Sequence, residues 1–275
     1  MIEKKKKRLI ISGIIVGALV FVLLLSSTIF QIRSVSVEYQ TTLSVLTKED
    51  LDRMITEADF PIGKSIFFAK FDENISVMEK AYPYAKISGV ERKFPNSLVV
   101  YVAERVPAVR YNSGGVTYIL DADLKVLNKL GAGDVGYKSV EVGLPLITIE
   151  PSVGENIDTA QKEVGDFLLS AKLKAWVKGF YEGAVCTPEG KTEAISCIKL
   201  IESITVRYST NLDKIEFKLT YTGEDVVSTI TGEEELSSTV YKIISALNEA
   251  SNMGKEYEYI NASGGVVYAK EKTQP

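Results

Sequence analysis

The sequence contains no histidine, and this absence excludes several classes of enzyme at once. Neither a Ser-His-Asp nor a Cys-His nucleophile can be built without an imidazole, and the common nitrogen ligand of zinc is missing. Cysteine is also scarce, with Cys186 and Cys197 as the only thiols. No C-x-x-C spacing accompanies them, so they do not indicate redox catalysis. They can close a small disulfide loop, and two unpaired thiols in a reducing habitat are the open alternative.

The acidic residues also lack a convincing arrangement for catalysis. Asp121 and Asp123 flank Ala122 at a predicted strand end, where aspartate usually serves a turn. Gly63-Lys64-Ser65 resembles the end of a P-loop, but Ala58 stands at the position of the first glycine and a helical pattern precedes it. We therefore expect a protein that is not an enzyme and that needs no cofactor or metal.

Charge is missing from residues 9–30, which are mostly apolar and follow a cluster of lysine and arginine at residues 4–8. As a helix this run spans about 33 Å, against about 30 Å of hydrocarbon core in a bilayer. A cleaved signal peptide would have a shorter apolar core. We therefore predict a retained transmembrane helix at residues 9–30, a cytoplasmic basic tail at residues 1–8, and the remaining chain outside the cytoplasm.

The remaining chain is acidic. The whole sequence carries a net charge of −4 although residues 1–8 are strongly basic, so the rest is more negative still. An acidic surface argues against nucleic acid as a direct ligand. A protein partner with a basic patch stays possible.

Hydrophobic patterning predicts the order strand, helix, helix, strand, strand between residues 35 and 106. Thr47 and Asp50 form a capping box before the first helix, whose apolar face includes Leu51 and Met54. A second helix is expected at about residues 72–81, and a hairpin follows it.

Beyond residue 106, alternating apolar residues such as Ile204 and Val206 predict half-buried strands. An apolar stripe from Leu236 to Ala250 predicts a helix that packs on the resulting sheet. The predicted fold class is therefore α+β, with a mostly antiparallel β domain at residues 107–270 and a short tail at residues 271–275. The stretch 183–196 contains Cys186 and is followed directly by Cys197. We assign no function to this stretch.

The run from Arg92 to Ala108, which reads RKFPNSLVVYVAERVPA, closely resembles the signature of the FtsQ/DivIB family of bacterial cell-division proteins. Three shorter elements are also similar to family motifs: Gly63–Phe67, Tyr118–Asp121 and Gly143–Ile147. The resemblance implies a POTRA domain at residues 35–106 and a β domain after it.

The resemblance also implies a function. Such a protein would be a non-enzymatic scaffold of the divisome, located in the cell membrane at the division septum. It would bind FtsB/DivIC-like and FtsL-like bitopic proteins outside the cytoplasm and link them to septal peptidoglycan synthesis during septation. No small-molecule substrate is implied.

The binding site is expected at the C-terminal edge of the sheet. A terminal strand leaves one row of backbone donors and acceptors unpaired, which an extended segment of another protein can complete. Tyrosines on the neighbouring strand would serve as aromatic anchors, and ordinary strand packing is the alternative for each tyrosine. The predicted partner-binding residues are Tyr257, Tyr259, Gly265, Val266, Val267, Tyr268 and Ala269.

A second reading is a POTRA-containing component of envelope transport or assembly, which binds extended polypeptides. It predicts tandem POTRA repeats, and the sequence contains no second copy of the pattern at residues 35–106.

Overall fold

The structure is a computed structural model whose described residues form five helices, one large mixed sheet and two smaller sheets. Its chain divides into two compact units, unit 1 at Met1–Glu104 and unit 2 at Arg105–Pro275. The predicted basic tail at residues 1–8 lies outside the described residues. The structure describes residues 11–22, 29–131, 134, 136–150, 162–187, 192–208, 215–221, 224–230, 236–262 and 266–272.

The prediction of a transmembrane helix at residues 9–30 is wrong. Helix α1 is described at residues 11–22, and no helix among the described residues is long and apolar enough to cross a membrane. The predicted single-pass topology and membrane location are therefore corrected as well.

Unit 1 contains helix α1 and a three-stranded sheet with two further helices. Strand β3 lies in the middle, parallel to β1 and antiparallel to β2. Helix α2 contacts β1, and helix α3 contacts β2. The elements are β1 (Ser34–Tyr39), α2 (Lys48–Glu57), α3 (Asp72–Ala81), β2 (Ala85–Lys93) and β3 (Ser97–Glu104).

Helix α2 begins where the sequence predicts it. The capping box is present, because the Thr47 side chain accepts from the Asp50 amide and the Asp50 carboxylate accepts from the Thr47 amide. The loop before the helix is held by Glu104, whose carboxylate accepts from the amides of Ser44, Val45 and Leu46 at 2.9–3.0 Å. Three charge-assisted hydrogen bonds to one carboxylate fix this loop against the end of β3.

Unit 2 is built on a nine-stranded sheet with the order β14-β13-β12-β11-β10-β7-β4-β5-β6, and β8 and β9 form a separate short pair. The strands of the large sheet are β4 (Pro107–Ser113), β5 (Val116–Asp121), β6 (Val126–Leu130), β7 (Leu146–Ile149), β10 (Ile201–Tyr208), β11 (Ile215–Tyr221), β12 (Glu224–Ile230), β13 (Tyr257–Asn261) and β14 (Tyr268–Glu271). The other elements are α4 (Ala171–Gly183), β8 (Val185–Cys186), β9 (Ile195–Ser196), a 3-10 turn (Ile198–Leu200) and α5 (Leu236–Asn252).

The sheet is mixed: of its eight pairings among the described strands, five are antiparallel, in line with the predicted mostly antiparallel domain, and three are parallel. Strand β7 pairs in parallel with both β4 and β10, and β12 pairs in parallel with β13. Parallel neighbours need a long crossover, usually a helix. Helix α4 lies between β7 and β10 in the chain, and α5 lies between β12 and β13. Helices α4 and α5 are therefore the crossovers of the β7–β10 and β12–β13 pairs.

Helices α4 and α5 pack closely because two glycines of α4 lie at their contact. A Cβ atom on Gly179 would lie 2.5 Å from Leu236 Cδ2, and one on Gly183 would lie 2.4 Å from the Ser237 carbonyl oxygen. The apolar face of α5 is buried against the sheet and α4, as the stripe in the sequence predicts. Its buried apolar members are Leu236, Val240, Ile243, Ile244, Leu247 and Ala250.

A buried ion pair stabilises the start of unit 2. Arg105 Nη1 lies 2.8 Å from Asp121 Oδ2, and the two side chains are only 5% and 7% exposed. The other oxygen of Asp121 accepts from the amides of Asp123 and Lys125, so this aspartate serves the turn that the sequence predicts. Because removing one member would leave an uncompensated charge, both members are needed.

The contact between α4 and α5 yields a test of stability. We expect Gly183→Ala to lower the free energy of unfolding by about 1–3 kcal/mol, since the new methyl group meets a backbone oxygen that cannot rotate away. Gly136→Ala is the matched control, because a Cβ atom there has nothing within 4 Å. Urea denaturation of both variants provides the measurement. Equal midpoints for the two variants would contradict the packing described.

Candidate protein-binding edge

Strand β14 is the last strand of the nine-stranded sheet. Of the residues predicted to bind a partner, Tyr268 and Ala269 belong to β14, whereas Val266 and Val267 precede it without strand structure. Gly265 lies outside the described residues. We call residues 266–271 the C-terminal edge. Its role in binding stays a prediction.

The hydrogen-bonding direction along β14 follows from one bond next to it. The Lys272 amide donates to the Glu256 carbonyl at 2.9 Å, so Lys272 faces β13. In an antiparallel pair, successive residues direct their backbone groups alternately toward and away from the partner strand. Lys270 therefore faces β13, and Ala269 and Glu271 direct their amides and carbonyls away from it. No other strand among the described residues pairs with this side of β14.

The opposite edge of the sheet differs. Strand β6 begins beside the segment 163–168, where the Val126 amide donates to the Asp166 carbonyl at 2.9 Å. The Gly165 amide donates back to the Val126 carbonyl at 2.8 Å. Irregular chain thus covers the start of β6, and the two ends of the sheet are not equivalent as templates for strand addition.

The side chains of the C-terminal edge divide between two faces. Val267 and Ala269 line a groove of about 440 Å³ together with Tyr241 of α5, Met253 just after α5, and Tyr257 of β13. Apolar side chains are accessible in this groove, since Met253 is 61% exposed and Tyr241 is 44% exposed.

The two predicted aromatic anchors do not act as a pair. Tyr257 lines the groove beside α5, whereas Tyr259 contacts Tyr268, with ring centroids 6.5 Å apart. Residues two apart share a face in a regular strand, but the pairing register with β14 shifts between Tyr257 and Tyr259. A bulge of this kind re-aims a side chain. Each face of the edge therefore carries aromatic surface.

Ion pairs hold β14 to the neighbouring chain. Lys270 pairs with Glu258, Lys255 pairs with Glu271, and Lys272 lies 3.4 Å from Glu256. A hydrogen bond from Lys270 to Glu258 raises the pKa of Lys270 above its ordinary value. All of these side chains are exposed, so the pairs serve register and contribute little to stability. Charges along an edge also oppose uncontrolled association between copies of the chain.

Cys186 and Cys197 form a disulfide, with Cα atoms 6.1 Å apart. The bond joins Cys186 of β8 to Cys197, the residue after β9, at the point where the chain leaves α4 and approaches β10. Both half-cystines are buried, so the bond is part of the core. A disulfide indicates a non-reducing compartment.

Candidate metal ligands are not clustered in the described part of the chain. No group of three or more His, Cys, Asp or Glu side chains there is placed to hold a metal ion. Asp121, considered as a candidate carboxylate from the sequence, is engaged by Arg105 and by two backbone amides.

No protein family model and no curated protein matches this chain. The likeness to the FtsQ/DivIB family therefore rests on the short motifs quoted above.

The groove beside α5 is the part of the site that the sequence reasoning missed. Its α5 side is formed by residues four apart, Tyr241, Ser245 and Glu249, and the row continues to Met253 just after the helix. That spacing marks a second row on the helix, next to the buried stripe. An exposed tyrosine and methionine at the two ends of this row were the available signal.

The edge geometry predicts a pattern of amide hydrogen exchange. In the free protein, the amides of Ala269 and Glu271 should exchange at least about tenfold faster than those of Lys270 and Lys272, because only the second pair faces β13. Exchange followed by NMR provides the measurement. Strong protection of Ala269 and Glu271 would contradict an open edge.

Proposed function

We propose that this chain is a non-catalytic scaffold of the bacterial cell-division machinery. In this role it binds an extended segment of another division protein by strand addition at the C-terminal edge, and so links that protein to septal peptidoglycan synthesis. The motif from Arg92 to Ala108 supports the family role. The open backbone groups of Ala269 and Glu271 support the mode of binding, and they are the observation that carries the proposal.

The backbone alone would give a weak complex. Ala269 and Glu271 together offer up to four hydrogen bonds, which contribute about 2–6 kcal/mol at about 0.5–1.5 kcal/mol each. Association costs about 4–15 kcal/mol in lost freedom of motion. Side-chain burial must therefore supply the remainder of the binding free energy.

Two surfaces beside the edge can supply that burial. A strand added to β14 would place every second side chain next to Val267 and Ala269, on the face that carries the groove beside α5. The other side chains would lie beside Tyr268, which is 63% exposed. The best partner is thus a strand with apolar or aromatic residues on both faces of its central part.

The resemblance names the partner class. FtsB/DivIC-like proteins, together with FtsL-like proteins, are the expected ligands. The acidic balance of this chain also favours a partner segment with basic residues near the strand, because complementary charge increases the rate of encounter.

A proline substitution tests the proposal at one backbone amide, that of Ala269. Ala269→Pro removes the outward amide but leaves the bonds to β13 intact, so we expect the same thermal stability and about tenfold or more weaker binding. Ala269→Ser is the control, since it keeps the amide and a small side chain. Isothermal titration with the FtsB/DivIC-like protein of the same genome measures both affinities.

Two results would contradict different parts of the proposal. Equal affinity of the proline and serine variants would remove the C-terminal edge as the docking site. Absence of binding by the parent chain would instead reject the division role, whatever the variants do.

A further inference from the structure

Unit 1 carries an exposed apolar surface that the proposed function does not use. We call it the aromatic end, and it consists of Ile29, Ile62, Phe67, Phe68 and Phe94. Phe68 is 81% exposed, and the other four are 46–58% exposed. A cluster of large exposed apolar side chains usually marks a surface that contacts something apolar.

The aromatic end is built rigidly from three segments, residues 29–33, 61–70 and 92–97. The Ile66 amide donates to the Phe30 carbonyl, and the Arg33 amide donates to the Asn96 carbonyl, each at 2.8 Å. The ring centroids of Phe67 and Phe94 are 5.2 Å apart, and the ring centroid of Phe30 lies 5.0 Å from that of Phe67. Backbone bonds and ring contacts therefore hold these side chains at the surface.

The charge around the aromatic end is opposite to that of the chain. The three segments contain no aspartate or glutamate, in a protein whose net charge is −4. Glu91 pairs with Lys93, and Asp59 and Glu73 line a groove together with Lys64 and Lys70, so part of the charge is offset. The cations still outnumber these three acids: they are Arg33, Lys64, Lys70, Arg92 and Lys93.

We propose that the aromatic end adsorbs to the surface of an anionic lipid bilayer. Phenyl rings without hydrogen-bonding groups can enter the boundary between headgroups and acyl chains, while the surrounding lysines contact anionic headgroups. The residues that dominate binding energy at protein interfaces are instead enriched in tryptophan, tyrosine and arginine. This contact is with the surface alone and needs no helix that crosses the bilayer. It is also independent of strand addition at β14.

A local reporter tests the proposal in the full chain. Helix α1 also exposes apolar side chains, so binding of the whole protein is not a specific measurement. Phe68→Trp places an indole in the aromatic end, against a constant background from Trp176, which is 1% exposed. Tyr39→Trp is the matched control, because Tyr39 is also an exposed aromatic residue but lies at the other end of β1, about 17 Å along the strand.

We expect the emission of the Phe68→Trp protein to shift to shorter wavelength and to be quenched by brominated lipid in vesicles of equimolar phosphatidylcholine and phosphatidylglycerol. The Tyr39→Trp protein should show neither change. Adding Lys64→Glu and Lys70→Glu to Phe68→Trp should weaken the lipid dependence at least about fivefold, since each lysine near an anionic surface contributes about that factor.

Three outcomes would overturn the proposal. The first is an unchanged emission spectrum of the Phe68→Trp protein with these vesicles, and the second is quenching that persists unaltered in the charge-reversed protein. The third is a spectral shift that depends on protein concentration without lipid, which would assign the aromatic end to a second copy of the chain.

Discussion

Backbone amides and carbonyls need hydrogen-bond partners, and the end of a β-sheet is where a folded protein has difficulty providing them. In unit 2, the two ends of one nine-stranded sheet meet this requirement differently. At β6, the segment 163–168 supplies part of the missing bonds from within the chain. At β14, the outward groups of Ala269 and Glu271 face no other strand of the described chain. The proposed binding function depends on this difference.

The rest of unit 2 keeps that edge in place. Strand β13 is held in parallel beside β12 by the crossover through α5, and α5 in turn packs closely on α4 at Gly179 and Gly183. A hydrogen bond of 2.8 Å from the Tyr221 hydroxyl to Asn248 also ties α5 to the sheet. Because α5 forms one wall of the groove beside β14, the fold determines both the backbone and the apolar surface that a partner would meet.

The motif that suggests the family has a structural meaning in each unit. Glu104 binds three amides of the loop before α2 in unit 1, and Arg105 forms the buried pair with Asp121 in unit 2. These two adjacent residues of opposite charge therefore stabilise different units: Glu104 holds a loop of unit 1, and Arg105 pairs with a buried aspartate of unit 2. This explains why such a pair would stand at the boundary between the units, without assigning either residue to partner binding.

Local signals in the sequence predicted local structure well. The capping box at Thr47 and Asp50, the turn at Asp121 and the buried stripe of α5 each depend on residues a few positions apart. Properties set by distant residues were not accessible in the same way. The parallel pairing of β12 with β13 depends on where α5 returns the chain, and the different environments of Tyr257 and Tyr259 depend on a bulge against β14.

The transmembrane prediction was the clearest failure. An uncharged run at residues 9–30 has the composition of a membrane span, but no helix among the described residues is long and apolar enough to cross a membrane. In the candidate site, residues 266–269 could be proposed because an edge strand needs only its position at the end of the sheet, and their role in binding stays a prediction. The groove was missed because it needs α5 and β14 together.

The central claim concerns one ladder of hydrogen bonds, and cross-strand nuclear Overhauser effects observe that ladder directly. In a complex of this protein with an isotopically labelled FtsB/DivIC-like segment, we expect such effects between the backbone of the segment and that of Ala269 and Glu271. A complex that forms while the backbone signals of both residues stay unchanged would contradict the account.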